Sequence, residues 1–196
     1  MNQRAHWAEI QTLLSQPYVV LDTETTGLLD PEIVSVAVVD AQGETVINEL
    51  VRPAKPIEPQ ASRITGIDET TVAGCPEFPE VEPKLTLALD GQRVAIFNAA
   101  YDLQALQNTY ARYGLREPTI EAWCVMKWFA VVFGEWSDIR GDYTWQPLSR
   151  AAEYFGVEQA SAHDALDDTL TTWRILQEAF RRSGDRVVGM DPLFER

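Results

Sequence analysis

The chain has 196 residues, 45% hydrophobic and 23% charged, which is ordinary for one soluble globular domain and long enough to bury about 70% of its unfolded surface in a single core. A formal net charge of −14 argues against a partner gripped along a long phosphate backbone, because such binding rests on basic surface. No apolar run approaches the roughly 20 residues of a membrane helix, residues 1–15 lack the apolar stretch of a secretory signal, and Cys75 and Cys124, without CxxC spacing, point to a reduced, cytoplasmic protein.

Trp7, Ile10, Leu13 and Leu14 recur near helical spacing, so residues 6–14 read as a short leading helix. Residues 18–22 end an apolar run that reads as a buried strand. The valine-rich run 32–40 is a second strand, and Ala41-Gln42-Gly43 turns the chain into a third, 45–52. Short connections between these strands predict an antiparallel meander. Pro53, Pro56 and Pro59 then break the pattern; short helical pieces are expected within 58–73, and 78–89 reads as a helix whose first turn is constrained by Pro83. Residues 93–97 form a buried strand. A helix over 101–113 carries Leu103, Leu106 and Tyr110 on one stripe and stops at Gly114. A strand at 119–125, an apolar helix at 126–133, a polar, aromatic-containing loop at 134–145, a helix at 147–155 ended by Gly156, and a long helix at 164–180 complete the pattern. A meander followed by alternating strands and helices predicts an α/β fold with a mixed central sheet flanked by helices. One domain is expected over 1–184, with a loosely packed tail at 185–196.

Chemistry concentrates in three distant segments: Asp22-Thr23-Glu24-Thr25-Thr26-Gly27, Phe97-Asn98-Ala99-Ala100-Tyr101-Asp102, and His163-Asp164-Ala165-Leu166-Asp167-Asp168. Side chains two apart on a strand share a face, so Asp22 and Glu24 can face one cation while Thr23 points away. Clustered carboxylates repel unless something positive lies between them, and hard ions such as Mg²⁺ or Mn²⁺ prefer oxygen ligands. Asp102 follows a strand that delivers it near the same sheet edge, although a role at a helix N-terminus explains it equally well alone. In the third segment Asp164 reads as a helix cap with Asp167 three residues on. The stripe of Leu166, Leu170, Trp173, Leu176 and Phe180 leaves Asp167 and Asp168 on opposite flanks, so the helical wheel does not choose between them. His163 stands five residues before Asp168, roughly 140° beyond a full turn. To act on the same substrate it must lie in the connection before the helix, where an imidazole suits a general base. Trp136, Tyr143 and Trp145 in the aromatic loop offer rings on which bases can stack.

A strand-borne D-x-E, a later N-x-x-x-D and a final H-x-A-x-x-D, in this order, resemble the motifs of the DEDDh 3′–5′ exonucleases, the group of the epsilon proofreading subunit, ribonuclease T and oligoribonuclease. The resemblance spans about residues 18–180 and implies a ribonuclease H-like fold. It implies that Asp22, Glu24, Asp102 and Asp168 hold two Mg²⁺ or Mn²⁺ ions, choosing Asp168 over Asp167, and that His163 takes a proton from the attacking water. It also implies that Thr25, Thr26 and Gly27 hold the terminal nucleotide, with Leu28 wedged against its base and Asn98 nearby. Ile64-Thr65-Gly66-Ile67 resembles a family loop that lines the same pocket, so Ile64 and Thr65 join the substrate-binding set. Thr65 and Phe97 stand where the family often has histidine. The implied reaction releases nucleoside 5′-monophosphates from nucleic acid 3′ ends, with single-stranded DNA favoured over RNA. The exoribonuclease alternative shares this chemistry, since nothing in these motifs reads a 2′-hydroxyl; a non-catalytic nuclease-like module would be expected to have lost a ligand. A proofreading role would require a separate DNA polymerase subunit, and stand-alone repair or trimming fits equally.

Overall fold

The computed structural model describes residues 3–188, with side chains for 5–184. The meander is present: β1 (Val19–Thr25), β2 (Ile33–Asp40) and β3 (Thr45–Leu50) pair antiparallel, and β4 (Arg93–Ile96) and β5 (Glu121–Cys124) extend the sheet in parallel from β1. The strand order is β3-β2-β1-β4-β5, which places β1 at the centre. A central strand is covered on both faces, which is why its sequence is a continuous apolar run without alternation.

Helices α1 (Gln3–Leu14), α6 (Val125–Phe133), α7 (Leu148–Phe155) and α8 (Ala165–Val188) cover one face, and α4 (Phe78–Leu89) with α5 (Ala99–Arg112) covers the other. The two faces divide the sheet by parity. Val20 and Ala95 belong to the α1/α6/α8 cluster, whereas Val19, Leu21, Val94 and Ile96 belong to the α4/α5 cluster. Rings fill the first cluster: Trp128 lies edge-on to Trp7 at 5.8 Å and stacks on Phe155 at 6.0 Å. The short helices α2 (Pro59–Thr65) and α3 (Glu69–Val72) occupy the proline-marked segment after β3.

Two expectations differ from the structure. The aromatic loop contains a hairpin, β6 (Trp136–Ser137) paired with β7 (Asp142–Tyr143), whose Trp136 and Tyr143 rings meet edge-on at 5.3 Å. Helix α8 runs past the expected end at 180, through Gly184 to Val188; 189–196 lie outside the described residues. One glycine costs a helix only about 1 kcal/mol, too little to stop a helix whose preceding turns bury Ala179 and Ser183. Among the described residues no helix is long and apolar enough to cross a membrane, and Cys75 and Cys124 form no disulfide.

Candidate active site

The site forms where β1 outruns its neighbour. Pairing with β4 ends at Leu21–Ile96, whereas β2 accompanies β1 through Asp22, Thr23 and Glu24. The edge facing β4 is therefore open beyond Leu21. There the Thr23 backbone N–H donates to Asp102 Oδ1 at 3.0 Å, and the Thr23 hydroxyl donates to the same oxygen at 2.8 Å. Asp102 sits in the first turn of α5 and is buried, so it reaches this edge from the α4/α5 face. Asp22 and Glu24 share the parity of Val20 and so face α8. The register with β2 then shifts between Glu24 and Thr25.

Helix α8 begins at this point. Asp164 caps it, accepting the Asp167 N–H at 3.0 Å. His163 lies just before the helix in a left-handed conformation, φ 65°, which costs a non-glycine residue roughly 1–2 kcal/mol. In that conformation its backbone N–H donates to Asp168 Oδ2 at 3.0 Å while the side chain remains exposed. The other Asp168 oxygen accepts the Gln159 amide at 2.7 Å. Ligand-capable atoms of Glu24, His163 and Asp168 all lie within 4.8 Å of one another. Asp168 is buried in this cluster, whereas Asp167 is half-exposed.

Burial and mutual repulsion dominate the electrostatics. Asp22 is raised well above the usual carboxylate range by burial first, then by the charges of Asp102, Glu24, Asp168 and Asp164. Glu24 is pushed up to about 8 by burial and then by Asp168, Asp102 and Asp164. Burial takes Asp102 to about 7 against the opposing pull of its Thr23 hydrogen bonds. Asp168 is raised by burial, with Gln159 and His163 partly offsetting it. Among the described residues no Lys or Arg pairs with any of these four acids. Crowded carboxylates without a Lys or Arg partner are an oxygen donor set that fits a hard divalent cation.

A cavity of about 300 Å³ opens beside Glu24 and His163. Of the residues expected to hold substrate, Thr25, Gly27, Leu28, Ile64, Thr65 and Asn98 line it. Leu28 and Ile64 are exposed apolar side chains at its walls, 72% and 49% accessible. Thr26 requires a correction. It is fully buried, its N–H donates to the Glu32 carbonyl at 2.8 Å, and its hydroxyl accepts the Glu32 N–H at 3.1 Å, so it fastens the loop and does not face the cavity. Tyr101, given no role by the sequence patterns, lines the cavity and donates its hydroxyl to the Gly27 carbonyl at 3.0 Å, while also bonding the Thr25 hydroxyl. Thr23 and Gln159 were likewise missed as supports of the acids. Strand alternation correctly turns Thr23 away from Asp22 but cannot show that Asp102 arrives on that side, and no local pattern marks Gln159.

A family model described as exonuclease matches residues 19–176. An uncharacterized exonuclease of Escherichia phage 186 is 32% identical over 179 residues, covering 87% of this chain and 91% of that protein. A DNA polymerase III subunit epsilon-like protein of Rhodobacter capsulatus is 31% identical over 175 residues; the match covers 84% of this chain but only 23% of that longer relative. Among solved structures, exonuclease X in complex with 5′-overhanging duplex DNA superposes with a TM-score of 0.65 at 27% identity, covering 85% of this chain and 93% of that one.

Proposed function

This chain belongs to the exonuclease family, and on that premise we propose that it hydrolyses DNA from 3′ ends, preferring single strands and releasing nucleoside 5′-monophosphates. The observation that carries this reading is the gathering of Asp22, Glu24, Asp102 and Asp168 at one end of β1, with His163 beside a cavity of about 300 Å³.

In this reading Asp22, Glu24, Asp102 and Asp168 would hold two Mg²⁺ or Mn²⁺ ions, which would supply charge to polarise the phosphate and lower the pKa of water. Thr23 orients Asp102, and Gln159 with the His163 N–H orients Asp168, so neither carboxylate must reorganise on binding. The His163 imidazole accepts the proton of the attacking water; its own backbone is tethered to Asp168, which keeps the base at the acids. Leu28 and Ile64 offer apolar contact to the terminal base, and Thr25, Gly27, Asn98 and Tyr101 line the remainder. The DNA bound by exonuclease X supports DNA over RNA. The epsilon-like relative is compatible with service beside a separate polymerase subunit as well as with independent repair.

The test is product analysis with 5′-labelled single- and double-stranded DNA and matched RNA, in Mg²⁺, in Mn²⁺ and in chelator. Stepwise shortening of DNA from the 3′ end, lost in chelator and in Asp22→Ala and Asp168→Asn, is expected. Near-normal turnover by either variant refutes the site, and faster cleavage of RNA refutes the substrate.

A further inference from the structure

We propose that a second cleft, on the same face of the sheet as the acids, stacks an unpaired base of the substrate strand upstream of its 3′ terminus; this rests on the nuclease reading above. The cleft has a volume of about 460 Å³, and its lining includes Trp123, Tyr143 and Trp145, the cation of Lys127 and the carboxylates of Glu9 and Asp142.

Sheet register gives its place. Val20 pairs with Ala95 and Ala95 with Trp123, and all three contribute to the α1/α6/α8 cluster. Asp22, two residues beyond Val20, faces the same way. β1, β4 and β5 are parallel, so Trp123 near the end of β5 and the acids at the end of β1 share one sheet edge. Trp123 is level with Val20, so its backbone lies two strand spacings across and two residues back from Asp22, about 12 Å away. The segments are joined directly: the Met126 N–H donates to the Phe97 carbonyl at 2.9 Å, one residue before the cavity-lining Asn98. Asn98 of the terminal cavity and Cys124 of the cleft thus lie at the ends of the paired strands β4 and β5.

The chemistry of the walls selects a base. Trp145 is exposed at 52% and free to present its face, and Tyr143 is braced by the Trp136 ring across the β6–β7 hairpin. Lys127 is exposed on α6 and offers one cation to a phosphate. Asp142 accepts the Tyr143 N–H at 2.7 Å, which restrains its carboxylate in the lining. The net charge of −14 makes this mode of grip sensible. Phosphate contacts must work against the protein's own field, whereas stacking on an aromatic face is indifferent to net charge and tolerates any base.

The experiment uses the full chain and 5′-fluorescein oligothymidylates of two to ten nucleotides. Trp145→Ala and Tyr143→Ala should weaken binding of the longer oligomers in Ca²⁺ by roughly tenfold, raise KM for their cleavage in Mg²⁺ by a similar factor with kcat unchanged, and leave the dinucleotide unaffected. An abasic site placed upstream should reproduce the loss in the wild type and add nothing in Trp145→Ala. The slope of log affinity against log salt should survive Trp145→Ala and fall by about one in Lys127→Ala. Unchanged binding of long oligomers by both aromatic variants overturns the proposal and leaves the hairpin as a surface for a protein partner. An equal loss on the dinucleotide overturns it as well, by assigning the rings to the folding of the site. The binding arm stands whether or not the protein cleaves, so failure of the nuclease reading shows separately, as absent metal-dependent turnover by a wild type that still binds.

Discussion

Without divalent ions, this protein should become less stable as pH rises from 5 to 8. Every acid in the cluster has its proton affinity raised on folding, Glu24 from 4.5 to about 8 and Asp102 from 3.8 to about 7. The folded state therefore binds more protons than the unfolded chain across this window. The favourable contribution is complete below the unfolded value and is lost as pH climbs through the folded one. For Glu24 alone, at about 1.4 kcal/mol per tenfold change in proton affinity, the loss between pH 5 and pH 8 is roughly 3–4 kcal/mol. That is a large share of the stability of a typical domain. Urea denaturation at pH 5, 6.5 and 8, in chelator and in millimolar Mg²⁺ or Mn²⁺, measures the effect. Stability should fall steeply with pH in chelator and recover with the ion at pH 8. General repulsion from a net charge of −14 also grows with pH, so Glu24→Gln is the necessary control: it should flatten a large part of the slope and blunt the response to the ion. A flat or rising profile in chelator, or an unaltered slope in Glu24→Gln, refutes the account of the cluster.

Thr23→Val removes the hydroxyl that holds Asp102 and should cost roughly 1.5–3 kcal/mol, the range for hydrogen bonds to a charged group; titration of activity with Mg²⁺ should show a higher half-saturating concentration while the fold persists. His163→Ala should lower turnover by roughly 10²–10⁴-fold, measured as initial rates at saturating oligonucleotide and Mg²⁺. Gly43 has φ 82°, and a Cβ there would lie 2.9 Å from the Trp173 ring, so Gly43→Ala should destabilise by about 1–3 kcal/mol with turnover per folded molecule unchanged, as thermal melts and active-site titration would show.

What was legible in the sequence rests on local periodicity. The valine-rich strands, the Gly156 stop and the shared face of Asp22 and Glu24 need only a repeat of two or 3.6 residues and local turn chemistry. The hairpin was not legible because each of its strands is two residues long, too short for alternation to register. The helical wheel left Asp167 and Asp168 undecided because the choice lies in what α8 packs against, and burial of Asp168 against Glu24 and His163 is a tertiary fact. Thr26 looked like part of an exposed turn because the three residues after Glu24 are polar and small. It is instead consumed by Glu32, whose buried carboxylate also takes the Ala54 and Lys55 N–H groups and an ion pair with Arg112 at 3.3 Å. Thr23 was given no part because its function depends on where β4 stops pairing.

That last point shows how securely the acids are placed. β1 carries its chemistry on the same alternation that carries its core: Val20 and Asp22 face α8, while Leu21 and Thr23 face α5. A slip of one residue would turn Asp22 and Glu24 into the α4/α5 face and at the same time move fully buried Val20 and Leu21 into each other's clusters. It would also separate Thr23 from Asp102, leaving a buried carboxylate without the two hydrogen bonds that restrain it. The register that buries the central strand is thus the one that presents two acids to α8 and pins a third from behind. Conservative changes at Val20 or Leu21 should therefore weaken the core first and leave the directions of the carboxylates intact for as long as the strand stays paired.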